Sequence, residues 1–250
     1  MEVHHHPQVE KKRFKEYFLE FLMIFLAVTL GFFAENVREG RADHKKAEKF
    51  AASMKEDLKA DTAQLEIYIK YYTTAANHID TFMNLLSVND PGKIPSGKLY
   101  WYGLFGGASS NFVPNDATFQ AMKSSGAIGL FNPQTARDIE KYDSHCRLMQ
   151  AADEMNQNLY AEVRKARAKI FDFKYNDIAN HLFQKNKTSF NQTRIDSFMA
   201  SNTLLLSHDK ILFNQYVELV RSRFIRHYNV AYADSLLKEA NVILNELNKD

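Results

Sequence analysis

Apolar side chains dominate one stretch near the start of the chain, Tyr17–Ala34, which reads YFLEFLMIFLAVTLGFFA. A helix of that length rises about 27 Å, close to the thickness of the hydrocarbon core of a bilayer. Because apolar residues occupy every face of Phe21–Phe33, the helix has no polar side to turn toward water. The pattern predicts a transmembrane helix over residues 17–37, preceded by a disordered basic tail over residues 1–16.

A cleaved signal peptide is the main alternative to this membrane anchor. The basic residues before the apolar run fit such a peptide. A cleavage after Ala34, however, would put Phe32 at a position where a small residue is wanted. We therefore expect the anchor to be retained.

Glu20 is the one charge inside the apolar run. It lies about one turn from the boundary, so its carboxylate can reach headgroups or the lysines before the span. The alternative is a helix–helix contact in an oligomer. The other expected membrane contacts are aromatic: Phe21, Phe25 and Phe32.

Positive charges flank the span on both sides, so the positive-inside rule hardly discriminates between the two orientations. A short tail before a first span usually stays in the cytoplasm. We expect the N-terminus to be cytoplasmic and the main domain to lie outside the cytoplasm.

Apolar residues at three- and four-residue spacing continue in three stripes, Phe50–Leu86, Ile139–Phe173 and Leu212–Leu247. Each stripe predicts a long amphipathic helix, and the first stripe leaves Asp61 off the apolar face. We therefore expect residues 38–250 to form one domain. The predicted fold class is all-α: an N-terminal transmembrane helix, then an antiparallel bundle of three long helices with short helices and an aromatic-rich insert.

The insert, residues 89–131, interrupts the helical pattern. It opens with a turn signal at Asp90-Pro91-Gly92. Asn115 or Asp116 can cap a short helix, and Asn132 with the following proline can restart a long one. Loops on a rigid bundle often hold binding residues, so the insert is a candidate ligand or partner site. The alternative is a cap that packs over the end of the bundle. The candidate binding residues are Tyr100, Trp101, Tyr102, Phe105, Phe112 and Phe119.

Basic residues crowd the last stripe at Arg221, Arg223 and Arg226. They are a candidate anion site, and the alternative is that they form salt bridges to a neighbouring helix. The net charge of the whole chain is only +2, with 32 basic and 30 acidic residues. That balance argues against a nucleic-acid binder.

Motifs that would indicate catalysis or cofactor binding are absent from the sequence. It contains no phosphate loop, dinucleotide fingerprint, Cys-x-x-Cys, zinc-protease or nucleophile-elbow motif. Cys146 lies on the second apolar stripe, which predicts a buried thiol. We expect no cofactor, no metal and no catalytic residue.

The predicted function is a non-enzymatic, membrane-anchored interaction, scaffold or sensor-like module. Its expected partners are the lipid bilayer and another membrane or envelope protein. The long stripes can also pair between chains, so a homo-oligomer is a further expectation. The alternative is a membrane-anchored enzyme, perhaps a hydrolase, with a site near the aromatic insert and the C-terminal basic cluster.

The N-terminal residues carry a set of short motifs: His4-His5-His6-Pro7, Lys11-Lys12, Glu20–Val28, Gly31-Phe32 and Ala34-Glu35. In these motifs the chain resembles a family of uncharacterised single-span inner-membrane proteins of Bacteroidota. The resemblance is strong over Met1–Glu39 and weaker around Thr118-Phe119 and Ser124-Ser125-Gly126. It implies a bacterial inner-membrane protein with a helical domain, and it carries no active site.

Overall fold

The computed structural model describes residues 13–184, 191–223 and 228–249. This part of the chain is helical, and its β structure is limited to an isolated bridge between Phe171 and Leu205. The predicted all-α fold class is confirmed. The helices are α1 (Phe14–Val88), α2 (Ser96–Gly103), α3 (Ala117–Ser124), α4 (Pro133–Arg167), α5 (Phe173–Gln184), α6 (Gln192–Met199), α7 (Lys210–Arg223) and α8 (Tyr228–Leu247).

The chain divides into two compact units, Met1–Ala51 and Ala52–Asp250. Helix α1 contributes residues to both units, and it begins at Phe14, within the predicted N-terminal tail. The histidine tract lies outside the described residues. The predicted boundaries of the span and of the helical domain stay predictions.

The first unit exposes the apolar side chains of α1. The exposed fractions are 63% for Phe21, 53% for Phe25 and 70% for Phe32. Among the described residues, α1 is the one helix long and apolar enough to cross a membrane, and none of its most apolar 18-residue window is buried. The core helix of a soluble protein would bury such a surface.

In the second unit, α1 places its predicted stripe in the core. The buried positions recur at three- and four-residue spacing, as expected for one face of a helix. They are Met54, Leu58, Asp61, Leu65, Tyr68, Tyr72, Ala75, Ala76, Ile79 and Phe82. The periodicity prediction is therefore confirmed, but Asp61 is fully buried on the stripe and was wrongly placed off it.

Helices α1 and α4 run parallel, which corrects the predicted antiparallel arrangement for this pair. Early in α4 and early in the part of α1 that belongs to the second unit, Tyr142 donates a hydrogen bond to Asp61, 2.9 Å away. Further along both, Asn156 contacts the hydroxyl of Tyr72 at 3.5 Å. Since the paired positions advance together along the two helices, their axes point the same way.

The parallel arrangement is possible because the insert carries the chain back along α1. Ser109 contacts Tyr71, and Asn115 contacts Asp61. The chain from Ser109 to Asn115 takes six residue steps, which cover about 20 Å when extended, and α1 takes ten steps from Asp61 to Tyr71, which rise about 15 Å. The insert thus returns the chain along α1, so that α4 can begin beside an earlier part of that helix.

Helix α4 packs against both α7 and α8. Asn156 contacts Arg223 near the end of α7, whereas Lys169, just beyond the end of α4, shares a groove with Ile211 near the start of α7. Helices α4 and α7 are therefore antiparallel. The third apolar stripe was predicted as one helix; the structure describes α7 and α8, and residues 224–227 between them lie outside the described residues.

The ends of the helices test the capping predictions. The side chain of Asn132 accepts a hydrogen bond from the backbone N–H of Gln134 at 2.8 Å, which confirms the predicted start of α4. Helix α3 follows Asp116, but the Asp116 side chain forms no cap there, and the Asn115 side chain binds Asp61 instead of capping the helix. Helix α2 was not predicted, since its aromatic residues and its two glycines, Gly97 and Gly103, disfavour a helix. Its burial outweighs that local preference.

Candidate functional site

The aromatic residues of the insert lie mostly inside the second unit. Of the predicted binding residues, Tyr102 is half-buried, and the other five are buried: Tyr100, Trp101, Phe105, Phe112 and Phe119. They pack against neighbouring elements, as Phe105 does against the rings of His78 and Phe183 at centroid distances of 4.1 Å and 4.9 Å. This packing accords with a cap over the bundle, and the ligand-binding role of these residues stays a prediction.

Tyr100 also fixes the chain around it through its hydroxyl group. The hydroxyl donates to the carbonyl of Leu204 at 2.5 Å and accepts from the backbone N–H of Asp172 at 2.8 Å. Burial raises the pKa of Tyr100 to about 12, so it stays a neutral donor at physiological pH. It therefore joins α2 to the two segments that meet at the isolated β bridge.

The predicted anion-binding arginines lie in different surroundings. Arg221 is exposed, with 70% of its side-chain surface accessible, and lies 3.9 Å from Glu218. Arg223 is buried. Arg226 lies outside the described residues, so the predicted anion site stays a prediction.

Arg223 is the buried cation of a polar network. Its Nε donates to the Asn156 side chain at 2.8 Å, its Nη1 to the Gly106 carbonyl at 2.8 Å, and its Nη2 to the Ala108 carbonyl at 2.9 Å. Burial lowers the pKa of Arg223 from its usual value, but an arginine stays charged under any physiological condition. The guanidinium thus joins α4 and α7 to the insert.

The segment that begins at Ala108, residues 108–116, is the centre of the network, and we call it the strap. Its chain is held by side chains from neighbouring helices. The Tyr71 hydroxyl accepts from the N–H of Ser109 at 3.1 Å. The Tyr72 hydroxyl accepts from the N–H of Ser110 at 3.2 Å and donates to the carbonyl of the same residue at 2.9 Å.

Asp153 holds the middle of the strap. Its Oδ2 accepts from the backbone N–H of Phe112 at 3.0 Å, and its Oδ1 accepts from the Tyr68 hydroxyl at 2.7 Å. Removal from water raises the pKa of this carboxyl, while the two hydrogen bonds lower it by smaller amounts. The pKa of Tyr68 is also raised, chiefly by burial, which keeps its hydroxyl protonated.

Asp61 holds the far end of the strap in the same manner. Its Oδ1 accepts from the backbone N–H of Asn115 at 2.8 Å and from the Asn115 side chain at 2.7 Å. Its Oδ2 accepts from the Tyr142 hydroxyl at 2.9 Å. Burial raises the pKa of Asp61, and the nearby charge of Asp57 raises it further.

These contacts decide what the network can do chemically. Both buried carboxylates accept hydrogen bonds from the strap and from tyrosines, and Arg223 donates to carbonyls, so the charged groups hold the chain in place. Within the described ranges, no group of three or more His, Cys, Asp or Glu side chains is arranged to hold a metal ion. A pocket that joins Asp116, Arg223 and His227 would favour the enzyme alternative. Asp116 is exposed, Arg223 is buried, and His227 lies outside the described residues, so that alternative stays a prediction.

Two further features lie on α4. Cys146 is buried as predicted, and burial raises its pKa to about 12, so the thiol is a poor nucleophile. The neighbouring His145 faces Glu239 of α8, with 2.9 Å between its Nδ1 and the carboxylate, and Lys141 lies 3.0 Å from the same carboxylate. Sequence spacing did not predict the contact between His145 and Glu239, because these two residues lie far apart in the chain.

A groove of about 850 Å³ lies between the end of α4 and the start of α7. Its lining is partly apolar, with Ala166 and Ile211, and also includes charged residues such as Glu162 and Lys169. The sequence did not predict it, because it forms between two helices that lie far apart in the chain. It is open to solvent and contains none of the predicted site residues.

No family model, no curated protein and no solved structure matches the chain. The resemblance of its N-terminus to single-span proteins of Bacteroidota therefore stays a prediction. The function has to be argued from the geometry of the helices and of the buried network.

Proposed function

We propose that this chain is a single-pass, membrane-anchored helical module that acts through contacts with other proteins. The observation that carries the proposal is the exposed apolar surface of α1 in the first unit, where an 18-residue window contains no buried residue. In water, each large apolar side chain left exposed forgoes about 1.5–3 kcal/mol of burial free energy. A bilayer would supply that burial over the whole window.

The anchor is tested by placing a charge within the apolar segment. Leu26→Arg should cost about 2.5–3.5 kcal/mol of insertion free energy. Wild-type protein should stay in the membrane fraction after alkaline carbonate extraction, and the variant should be partly released. Ile67→Arg is the control, because Ile67 is 70% exposed on the same helix but lies in the second unit.

Extraction of the wild-type protein would refute the anchor. So would equal behaviour of the Leu26→Arg and Ile67→Arg variants. The mass of the membrane-bound chain separates an anchor from a signal peptide. The proposal requires a chain that retains the apolar segment, and a signal peptide requires a product shortened near Ala34.

An interaction role is favoured over catalysis by the way in which the buried charges are used. Asp61, Asp153 and Arg223 bind the strap, and Asp143, the remaining buried acid of the described residues, pairs with Arg147. A general acid, base or nucleophile needs at least one such group directed at a substrate. We infer that the partner is another membrane or envelope protein, or a second copy of the chain.

The partner is tested by photo-cross-linking in intact cells at exposed apolar positions of the second unit, such as Ile67, Met155 and Ile211. A discrete product at one position and none at the others would support a specific partner. A product of twice the chain mass would identify a second copy. Absence of products at all exposed positions would count against an interaction role.

The orientation is also a proposal: N-terminus in the cytoplasm, second unit in the periplasm. The choice of the bacterial inner membrane follows from the resemblance of the N-terminal motifs. A reporter that is active only outside the cytoplasm, fused after Asp250, should be active in intact cells. Activity of a cytoplasmic reporter in its place would make the second unit a cytoplasmic scaffold.

A further inference from the structure

The strap is held to the rest of the second unit chiefly by hydrogen bonds from its backbone to side chains of the neighbouring helices. The backbone N–H groups of Ser109, Ser110, Phe112 and Asn115 donate to Tyr71, Tyr72, Asp153 and Asp61, respectively. Gln157 of α4 adds a contact from its side-chain amide to Asn111 at 2.8 Å. In contrast, the amides of α1, α4 and α7 lie within helical hydrogen-bond ladders.

The strap also buries little apolar surface. Ala108 and Phe112 are its buried residues, whereas Val113 has 62% of its surface exposed. The helices beneath it have continuous buried stripes. Local opening is easiest where few apolar contacts must break, so we expect the strap to open at a lower cost than the helices beneath it.

The strap covers a row of polar side chains, Tyr71, Tyr72, Asp153, Asn156 and Arg223, which we call the polar row. In the polar row, Oδ2 of Asp153 faces the N–H of Phe112, and the guanidinium of Arg223 faces the carbonyl of Ala108, the first residue of the strap. Each charge therefore matches the backbone group that it holds. Water could satisfy the same groups if the strap moved away, because all of them are strongly hydrated when exposed.

We propose that the strap is a releasable latch, which opens as a unit while α1, α4 and α7 stay folded and thereby exposes the polar row. Asp153 is the positioning residue of the latch, because its carboxylate holds Phe112, the one large buried side chain of the strap. The opening involves the second unit alone. Its test is therefore independent of the membrane anchor, and either idea can fail while the other stands.

The test is hydrogen exchange of the full chain in detergent micelles, followed at amide resolution. In the wild-type protein, the amides of Ser109, Ser110 and Phe112 should exchange at least about tenfold faster than the buried part of α1. Their exchange should also depend weakly on added urea, since opening of the strap exposes little surface. An exchange free energy and a urea dependence equal to those of α1 would overturn the proposal.

Single substitutions distinguish local opening of the strap from a loss of stability of the whole second unit. Asp153→Ala removes the acceptor of the Phe112 N–H and should speed strap exchange about tenfold or more, with little change in α1 and α4. Asp153→Asn should restore wild-type rates, because its Oδ1 can accept from Phe112 while its Nδ2 donates to Tyr68. Glu154→Ala is the matched control, because Glu154 is the exposed neighbour of Asp153 on α4.

A milder variant serves if Asp153→Ala does not fold. Gln157→Ala removes side-chain contacts to Ser109 and Asn111 from a half-buried position. It should speed exchange of the strap alone, by less than Asp153→Ala. Faster exchange spread evenly over the strap, α1 and α4 in either variant would show that the strap has no opening of its own, and would overturn the proposal.

Discussion

Replacement of Arg223 by methionine tests whether the buried cation holds the insert in place. Methionine has a similar length and no donor, so the change leaves three oxygens without the hydrogen bonds that Arg223 gives them. These oxygens belong to Asn156, Gly106 and Ala108. The guanidinium also lies over the ring of Tyr160, 5.2 Å from its centroid, and that contact is lost as well.

The size of the effect follows from two opposing contributions. Each buried acceptor that loses its donor costs about 1–3 kcal/mol, or about 3–9 kcal/mol for the three oxygens together. The variant regains several kcal/mol, since it no longer removes a guanidinium from water. We expect a net loss of about 3 kcal/mol in the free energy of unfolding, near the value for breaking other buried charge contacts.

The measurement is urea unfolding of the full chain in detergent micelles. Trp101 is the one tryptophan of the sequence and is buried in the second unit, so its fluorescence reports unfolding there. Arg221→Met is the control, because Arg221 is exposed on the same helix, and it should change stability by less than about 0.5 kcal/mol. Equal midpoints for the two variants would refute the role assigned to Arg223.

The same unfolding experiment tests the predicted anion site. An anion that binds the folded state raises its stability by mass action. If Arg223 binds anions, added phosphate should raise the midpoint of the wild-type protein and not that of Arg223→Met. The contacts of Arg223 with the insert predict equal shifts in both proteins.

Three further predictions concern single groups. Burial raises the pKa of Asp61 and Asp153 above the usual 3.8, so the folded state binds protons more readily than the unfolded state. As the pH falls from 7 toward 4, the free energy of unfolding of the wild-type protein should therefore rise relative to that of the Asp61→Asn/Asp153→Asn double variant. A fall relative to the double variant over this range would contradict the prediction. Cys146 should resist maleimide in the folded protein and react in urea, whereas Leu148→Cys, at an exposed position, should add a site that reacts at once. Gly106→Ala would bring a Cβ atom within 2.6 Å of Val220 and should cost about 1–3 kcal/mol in the urea midpoint, whereas Gly129→Ala meets nothing within 4 Å and should cost far less; equal losses would contradict the packing argument.

The local features of the fold could be predicted from the sequence because short-range periodicity determines them. The buried positions from Met54 to Phe82 follow the stripe read from the sequence, and Asn132 caps α4 as expected. Helix α2 was missed because its glycines and aromatic residues disfavour a helix in isolation. Gly97 is needed there because a Cβ atom would collide with the carbonyl of Phe198, a contact that lies far along the chain.

The buried network could be predicted only in part. Asp61 falls at a stripe position between Leu58 and Leu65, and an acid at such a position is a signal that sequence reading can detect. Its partner Asn115 could not be found in this way, because the contact depends on the path of the strap. The predicted ligand residues were chosen for aromatic content, whereas the groups that the structure brings together on the strap are mostly polar.

The parallel packing of α1 and α4 gives a physical reason for the acids on their buried faces. When one long helix runs parallel to the next long helix of the chain, the connection between them must return along their length. Here the strap provides part of that connection. An extended segment lying on helices finds no backbone partners there, since helical N–H and C=O groups bond to one another, so side chains must satisfy it. Asp61 and Asp153 accept from its N–H groups, and Tyr72 bonds to both the N–H and the carbonyl of Ser110. An antiparallel pair joined by a short turn would need none of these groups. The buried acids are therefore the feature of the sequence that reflects the parallel arrangement.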